Sequence, residues 1–109
     1  MPTDAPLTPR ELKQLRDRLD EIDTGIIDLI AERLTVVKSI GDHKLKTGAP
    51  LRHYEREREV IDRGVSRAES HGISQRLARE VLETLIHHSI GDQETNQLAQ
   101  SEHGLGKRA

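Results

Sequence analysis

The sequence has no cysteine, tryptophan or phenylalanine, and Tyr54 is its single Tyr, Phe or Trp residue. Lack of cysteine excludes a disulfide scaffold, a thiol nucleophile and thiolate metal sites, and it fits a reducing compartment. Scarcity of aromatics leaves little on which nucleic-acid bases can stack and nothing to build an aromatic cage. Any core must therefore be made of Leu, Ile, Val and Ala. Neither sign of charge dominates: 17 Lys and Arg stand against 19 Asp and Glu, a net charge of -2, which gives no basic footprint for a polyanion. No stretch approaches the ~18 apolar residues that span a membrane. The start, Met1-Pro2-Thr3-Asp4-Ala5-Pro6, lacks the charged and apolar segments of a signal peptide. The expectation is a soluble, cytoplasmic protein with neither nucleic acid nor membrane as partner.

What is present is helical periodicity in a chain of 109 residues, the size of one domain. Thr8-Pro9-Arg10-Glu11 is a helix start, because Thr8 can cap, Pro9 sits where its missing N–H costs nothing and Glu11 can return the capping bond. Thr47-Gly48-Ala49-Pro50 is a stop. Between them Leu12, Leu15, Leu19, Ile22, Ile26, Leu29, Val36 and Ile40 follow alternating three- and four-residue spacings, which predicts one long amphipathic helix. Its length of roughly 58 Å far exceeds the ~13 Å radius of gyration of a compact globule this size. The chain cannot cover such a helix by itself.

A second helix is predicted from about Tyr54 to Ser70, with Val60, Ile61, Val65 and Ala68 inward and His71-Gly72 at its end. Ser74 caps a third, whose stripe is Leu77, Ala78, Val81, Leu82, Leu85, Ile86 and Ile90. The pattern fades beyond Gln97. Residues 1–97 are therefore read as the domain and 98–109, polar and containing Gly104 and Gly106, as a linker or frayed tail. No internal repeat or strand pattern is present, so the fold class is all-α.

Polar residues interrupt the apolar stripes. Continuing the alternation from Leu29 puts Arg33, and later Lys44, at seam positions; eleven residues apart, they lie within about 20° of one face and ~16 Å along the axis. Two long cations converging across that gap can grip one small dianion. On these two residues alone the plainer reading, in which both snorkel to solvent, is the stronger. On the third helix Ser89 and Gln93 continue the stripe as neutral donors. Near the start of the second stand Arg56 and Glu57. Glu57 is explained equally well as a carboxylate complementing the helix dipole, Arg56 less so, since a cation is unfavourable there. The neighbours His87 and His88 point about 100° apart, and no metal spacing, glycine-rich phosphate loop or nucleophile elbow occurs. No metal and no cofactor are expected.

The segments Leu15-Arg16-Asp17-Arg18-Leu19-Asp20-Glu21-Ile22-Asp23, Leu29-Ile30-Ala31-Glu32-Arg33, Ile40-Gly41-Asp42-His43-Lys44 and Glu55-Arg56-Glu57-Arg58 resemble the all-helical chorismate mutases, in order and spacing, over roughly residues 12 to 97. The resemblance implies three helices per chain with one very long first helix, an intertwined homodimer, and two shared active sites that convert chorismate to prephenate. It implies that Arg33 and Arg16 of the partner chain hold the substrate carboxylates, that Lys44 and Gln93 meet the ether oxygen of the breaking bond, that Glu57 accepts from the ring hydroxyl, and that Arg56 and Ser89 complete the carboxylate pocket. Seventeen residues separate Arg16 from Arg33, ~25 Å along one helix, so both can serve a site only if Arg16 serves the other chain's. His53 departs from the family's commoner Asp at a position that helps bind the ring hydroxyl. The segment Glu102-His103-Gly104-Leu105-Gly106-Lys107-Arg108 resembles the link to a prephenate dehydrogenase domain in bifunctional relatives, which implies an excised N-terminal domain. Two alternatives stand beside this reading: an isochorismate pyruvate-lyase on the same fold, against which Glu57 argues, and a non-catalytic helical dimerisation or regulatory module.

Overall fold

The computed structural model describes the backbone of residues 5–108 and the side chains of residues 5–91. Three helices follow in order, α1 (Pro9–Thr47), α2 (Tyr54–Ser70) and α3 (Gln75–Arg108), with no strand among the described residues. The chain divides between Thr35 and Val36 into two units, although α1 runs through the division.

The first unit holds the N-terminal part of α1. The Glu11 amide donates to Thr8 Oγ1 at 3.1 Å, the expected cap. Along this part Leu12, Leu15, Leu19, Ile22, Ile26 and Leu29 are between 38% and 66% exposed. Six large aliphatic side chains in one stripe are thus left in water, each forfeiting roughly 1 kcal/mol that full burial would supply.

In the second unit α1 ends at Gly48, whose φ of 71° is open to glycine at little cost. The Ala49 amide returns to the Lys44 carbonyl at 3.1 Å, the bond that closes a helix end of this kind. α2 ends in the same way: Gly72 has φ 68°, and the amides of Ile73 and Gly72 bond the carbonyls of Ala68 and Glu69 at 2.9 and 3.1 Å. Ser74 Oγ then receives the Leu77 amide at 3.3 Å, the expected cap of α3.

α2 packs on α3. Val60, Ile61, Gly64 and Val65 are half-buried and Ala68 is buried, as the periodicity predicts, and Ala78, Leu82, Leu85, Ile86 and Ile90 are half-buried on α3. Leu77 and Val81 depart from expectation, since both are exposed. They lie four residues apart on one flank of a stripe wider than a single seventeen-residue helix covers. α3 also continues to Arg108, past the point where the apolar pattern fades. Its backbone hydrogen bonds need no apolar face, so the end of the stripe is not the end of the helix. Gly41, Ala68 and Ser89 are the buried residues among those described, so these side chains form hardly any core within one chain.

Candidate active site

The connection from α1 to α2 gathers half of the residues singled out above. Lys44, half-buried in the last turn of α1, donates from Nζ to the Leu51 carbonyl at 2.6 Å. That bond and the return of the Ala49 amide to the Lys44 carbonyl fold residues 48–51 back onto the helix end. The ammonium is therefore held by a neutral acceptor that satisfies one of its three donors.

His53 is the N-cap of α2. Its backbone is extended, φ -128° and ψ 91°, and its Nδ1 accepts the Arg56 amide at 2.9 Å. Histidine is an uncommon choice for this task, in which Asp, Asn, Ser and Thr predominate. An Asp at this position would also cap the helix, a role that is invisible from the resemblance.

Glu57, in the first turn of α2, keeps only 19% of its side-chain area in water. Its two carboxylate oxygens each accept from Arg52: Nε to Oε2 and Nη2 to Oε1, both at 3.2 Å. Arg52 was not among the residues expected here. The available signal was an arginine immediately before the helix cap and five residues before an inward carboxylate, a spacing that no helical rule pairs. Arg56 is more exposed and its Nη1 meets Glu59 Oε2 at 3.3 Å, one turn on, so its guanidinium lies along the surface of α2. Thus Leu51, Arg52 and His53, three successive residues, each hold one expected site residue, Lys44, Glu57 and Arg56 respectively.

Ser89 is a polar side chain only 6% exposed, and its Oγ donates to the Leu85 carbonyl at 2.7 Å. A hydroxyl carries a single proton, so any donation elsewhere would replace the bond to the Leu85 carbonyl. Arg33 is half-buried and Arg16 exposed, both on the part of α1 that belongs to the first unit. Gln93 lies on α3 outside the residues whose side chains are described. Among the described residues no group of three or more His, Asp or Glu is placed to hold a metal ion. Nor is any helix among them long and apolar enough to cross a membrane.

The family model for chorismate mutase type II matches residues 15–94. A chorismate mutase from Methanocaldococcus jannaschii is 32% identical over 79 residues, which are 72% of this chain and 80% of that one. A T-protein from Enterobacter agglomerans is 34% identical over 79 residues, 72% of this chain but 21% of its own length. A bifunctional chorismate mutase/prephenate dehydratase from Aquifex aeolicus is 43% identical over 53 residues, 49% of this chain and 15% of the relative. The chain therefore spans most of the first relative and about a fifth or less of the other two. It belongs to the chorismate mutase type II family, isomerases of aromatic amino acid biosynthesis, and its long first helix and strand-free described residues agree with that membership.

Proposed function

We propose that this chain rearranges chorismate to prephenate in two sites, each shared between two copies of the chain. The observation that carries the reading is that all eight residues assigned to the site, Arg16, Arg33, Lys44, His53, Arg56, Glu57, Ser89 and Gln93, fall within the span matched to the family, 15–94. The reaction is a Claisen rearrangement: one C–O bond breaks and one C–C bond forms inside a single molecule, so no electron donor, nucleophile or obligatory proton transfer is needed, and no cofactor is assigned. The site's task is to hold the two ends of a compact conformer together and to meet negative charge growing on the ether oxygen with fixed donors.

In this reading Lys44 exchanges the Leu51 carbonyl, which occupies its Nζ at 2.6 Å, for the ether oxygen, and Gln93 donates to the same atom. Arg33, Arg56 and Ser89 take the substrate carboxylates with Arg16 of the second copy. Glu57 accepts from the ring hydroxyl, with His53 beside it in sequence as the cap of α2.

The second copy is supported by the uncovered stripe from Leu12 to Leu29, and by Val36 and Ile40 beyond it, which are also exposed. An identical antiparallel helix presents the same aliphatic stripe, and two-fold pairing brings Arg16 of one chain toward the other chain's site. A cytoplasmic location belongs to the same reading, as does attachment to a second catalytic domain. For the latter, the support is that several relatives are far longer than this chain. The second activity of the bifunctional Aquifex aeolicus relative is prephenate dehydratase, whereas the tail's resemblance points to a dehydrogenase.

The test is to incubate purified protein with chorismate and, separately, with isochorismate, following prephenate and pyruvate. Prephenate from chorismate, undiminished by EDTA, is the expected result. Pyruvate from isochorismate alone would replace the reading with the lyase, and inactivity on both with the non-catalytic module.

A further inference from the structure

We propose that Arg52 is a positioning residue that aims and charge-balances the Glu57 carboxylate for the substrate's ring hydroxyl. The inference rests on the role given to Glu57 above and goes beyond it, since Arg52 has no part in that assignment. Its two hydrogen bonds to Glu57 are parallel, Nε to one oxygen and Nη2 to the other at 3.2 Å each. This fork-on-fork arrangement is available to arginine and not to lysine. The guanidinium also lies 4.6 Å from the centroid of the Tyr54 ring, so the arginine is fixed by a face as well as by its edge. Glu57 is the more buried partner, 19% against 48% for Arg52, which places the carboxylate inside and the guanidinium behind it toward solvent.

This arrangement has two consequences for binding. An ionised carboxylate has about four acceptor positions, and Arg52 uses two, leaving the others for a hydroxyl donor. A bare carboxylate would also repel a ligand carrying two carboxylates of its own, and Arg52 offsets that charge without occupying the acceptor face. The pair is not imposed by α2, because Arg52 precedes the cap. It depends on the path of residues 48–53, which the turn at Gly48, the Lys44–Leu51 bond and the His53 cap set together. The ring hydroxyl takes no part in the bonds that break and form. Holding it therefore stabilises bound substrate and transition state alike, which lowers KM and leaves kcat nearly unchanged.

The experiment is a double-mutant cycle of Arg52→Ala and Glu57→Gln in the full chain, with Arg52→Lys and Glu57→Ala beside it, reading kcat and KM separately and thermal unfolding as a control. Arg52→Ala is expected to raise KM about tenfold with kcat within about threefold of the parent, Arg52→Lys to recover only part of the loss, and Arg52→Ala to add little once Glu57 is Gln. If Arg52→Ala raises KM equally in both backgrounds, or lowers only the active fraction together with the melting temperature, Arg52 is a structural residue and the proposal falls. Should Arg52→Ala fail to fold, the lysine variant decides: a KM equal to that of the parent overturns the proposal. The Glu57 assignment fails separately, and is recognised by Glu57→Ala leaving KM unchanged.

Discussion

His53 Nδ1 accepts the Arg56 amide at 2.9 Å, so one ring nitrogen of the cap of α2 is committed to the backbone. A neutral imidazole accepting at Nδ1 carries its proton on Nε2, and the other nitrogen is then a donor, unlike an ionised carboxylate, which only accepts. His53→Asp is expected to keep the cap, add a negative charge at a helix N-terminus and supply an acceptor. KM should fall or stay level and the melting temperature should not drop. His53→Ala should cost about 1 kcal/mol in urea unfolding. A large loss of kcat in the Asp variant would mean that the imidazole itself acts on the substrate.

Gly64 of α2 faces Leu82 of α3 so closely that an added Cβ would overlap Leu82 Cδ1 and stand 3.4 Å from its Cγ. Glycine inside a helix forgoes ~1 kcal/mol relative to alanine, so the close approach of the two helices is maintained against local preference. Gly64→Ala should be net destabilising by about 1 kcal/mol, because displacing a half-buried leucine costs ~1–3 kcal/mol. In a Leu82→Ala background the same change should stabilise. The reversal of sign, measured by chemical denaturation, is the diagnostic. Stabilisation in both backgrounds would show that Leu82 moves aside freely.

Gln93 is neutral, so a hydrogen bond from it to the ether oxygen should not titrate near neutrality. Gln93→Glu is expected to shift the activity optimum to acid pH, where the introduced carboxyl, ordinarily titrating at about 4.3, is protonated and can donate. Above that range it is an anion facing a developing anion. Equal turnover at about pH 5 and about pH 8 would remove Gln93 from the reaction centre.

Arg16→Ala and Lys44→Ala should each be inactive alone. Unfolded and refolded together, they should yield mixed dimers in which one site collects both defects and the other none. With random pairing half the dimers are mixed and half of their sites intact, so activity should return to roughly a quarter of the parent level. Verified mixed dimers without recovery would place Arg16 outside the partner's site.

Helices and their ends were legible because the signals for them are local. Thr8 and Ser74 cap within three residues, Gly48 and Gly72 stop α1 and α2 through their own backbone freedom, and the three-four spacing from Leu12 to Ile40 is a property of the helix alone. Even the exposure of Leu15 or Leu29 followed from arithmetic, since a helix of 39 residues is too long for so short a chain to cover. Arg33, Lys44, Ser89 and Gln93 were visible as polar interruptions of those stripes and Arg56 and Glu57 as charges at a helix start, whereas Arg16 and His53, and every role, came from the resemblance.

Pairings across a turn were not legible. Lys44 reaches Leu51 seven residues on, Arg52 reaches Glu57 five residues on, and neither separation is a helical neighbour. Such bonds depend on the path of the connecting backbone, which no periodicity encodes. Likewise, periodicity alone made Leu77 and Val81 inward residues, although α2 leaves that flank of α3 open, and it marked Gly64 only as a poor helix former, although Leu82 occupies the space beside it. Local chemistry thus determined where this protein is helical and which faces are apolar. Tertiary structure decided which of those faces its own helices cover and which charge holds Glu57, because both depend on distances between segments that only the folded backbone brings together.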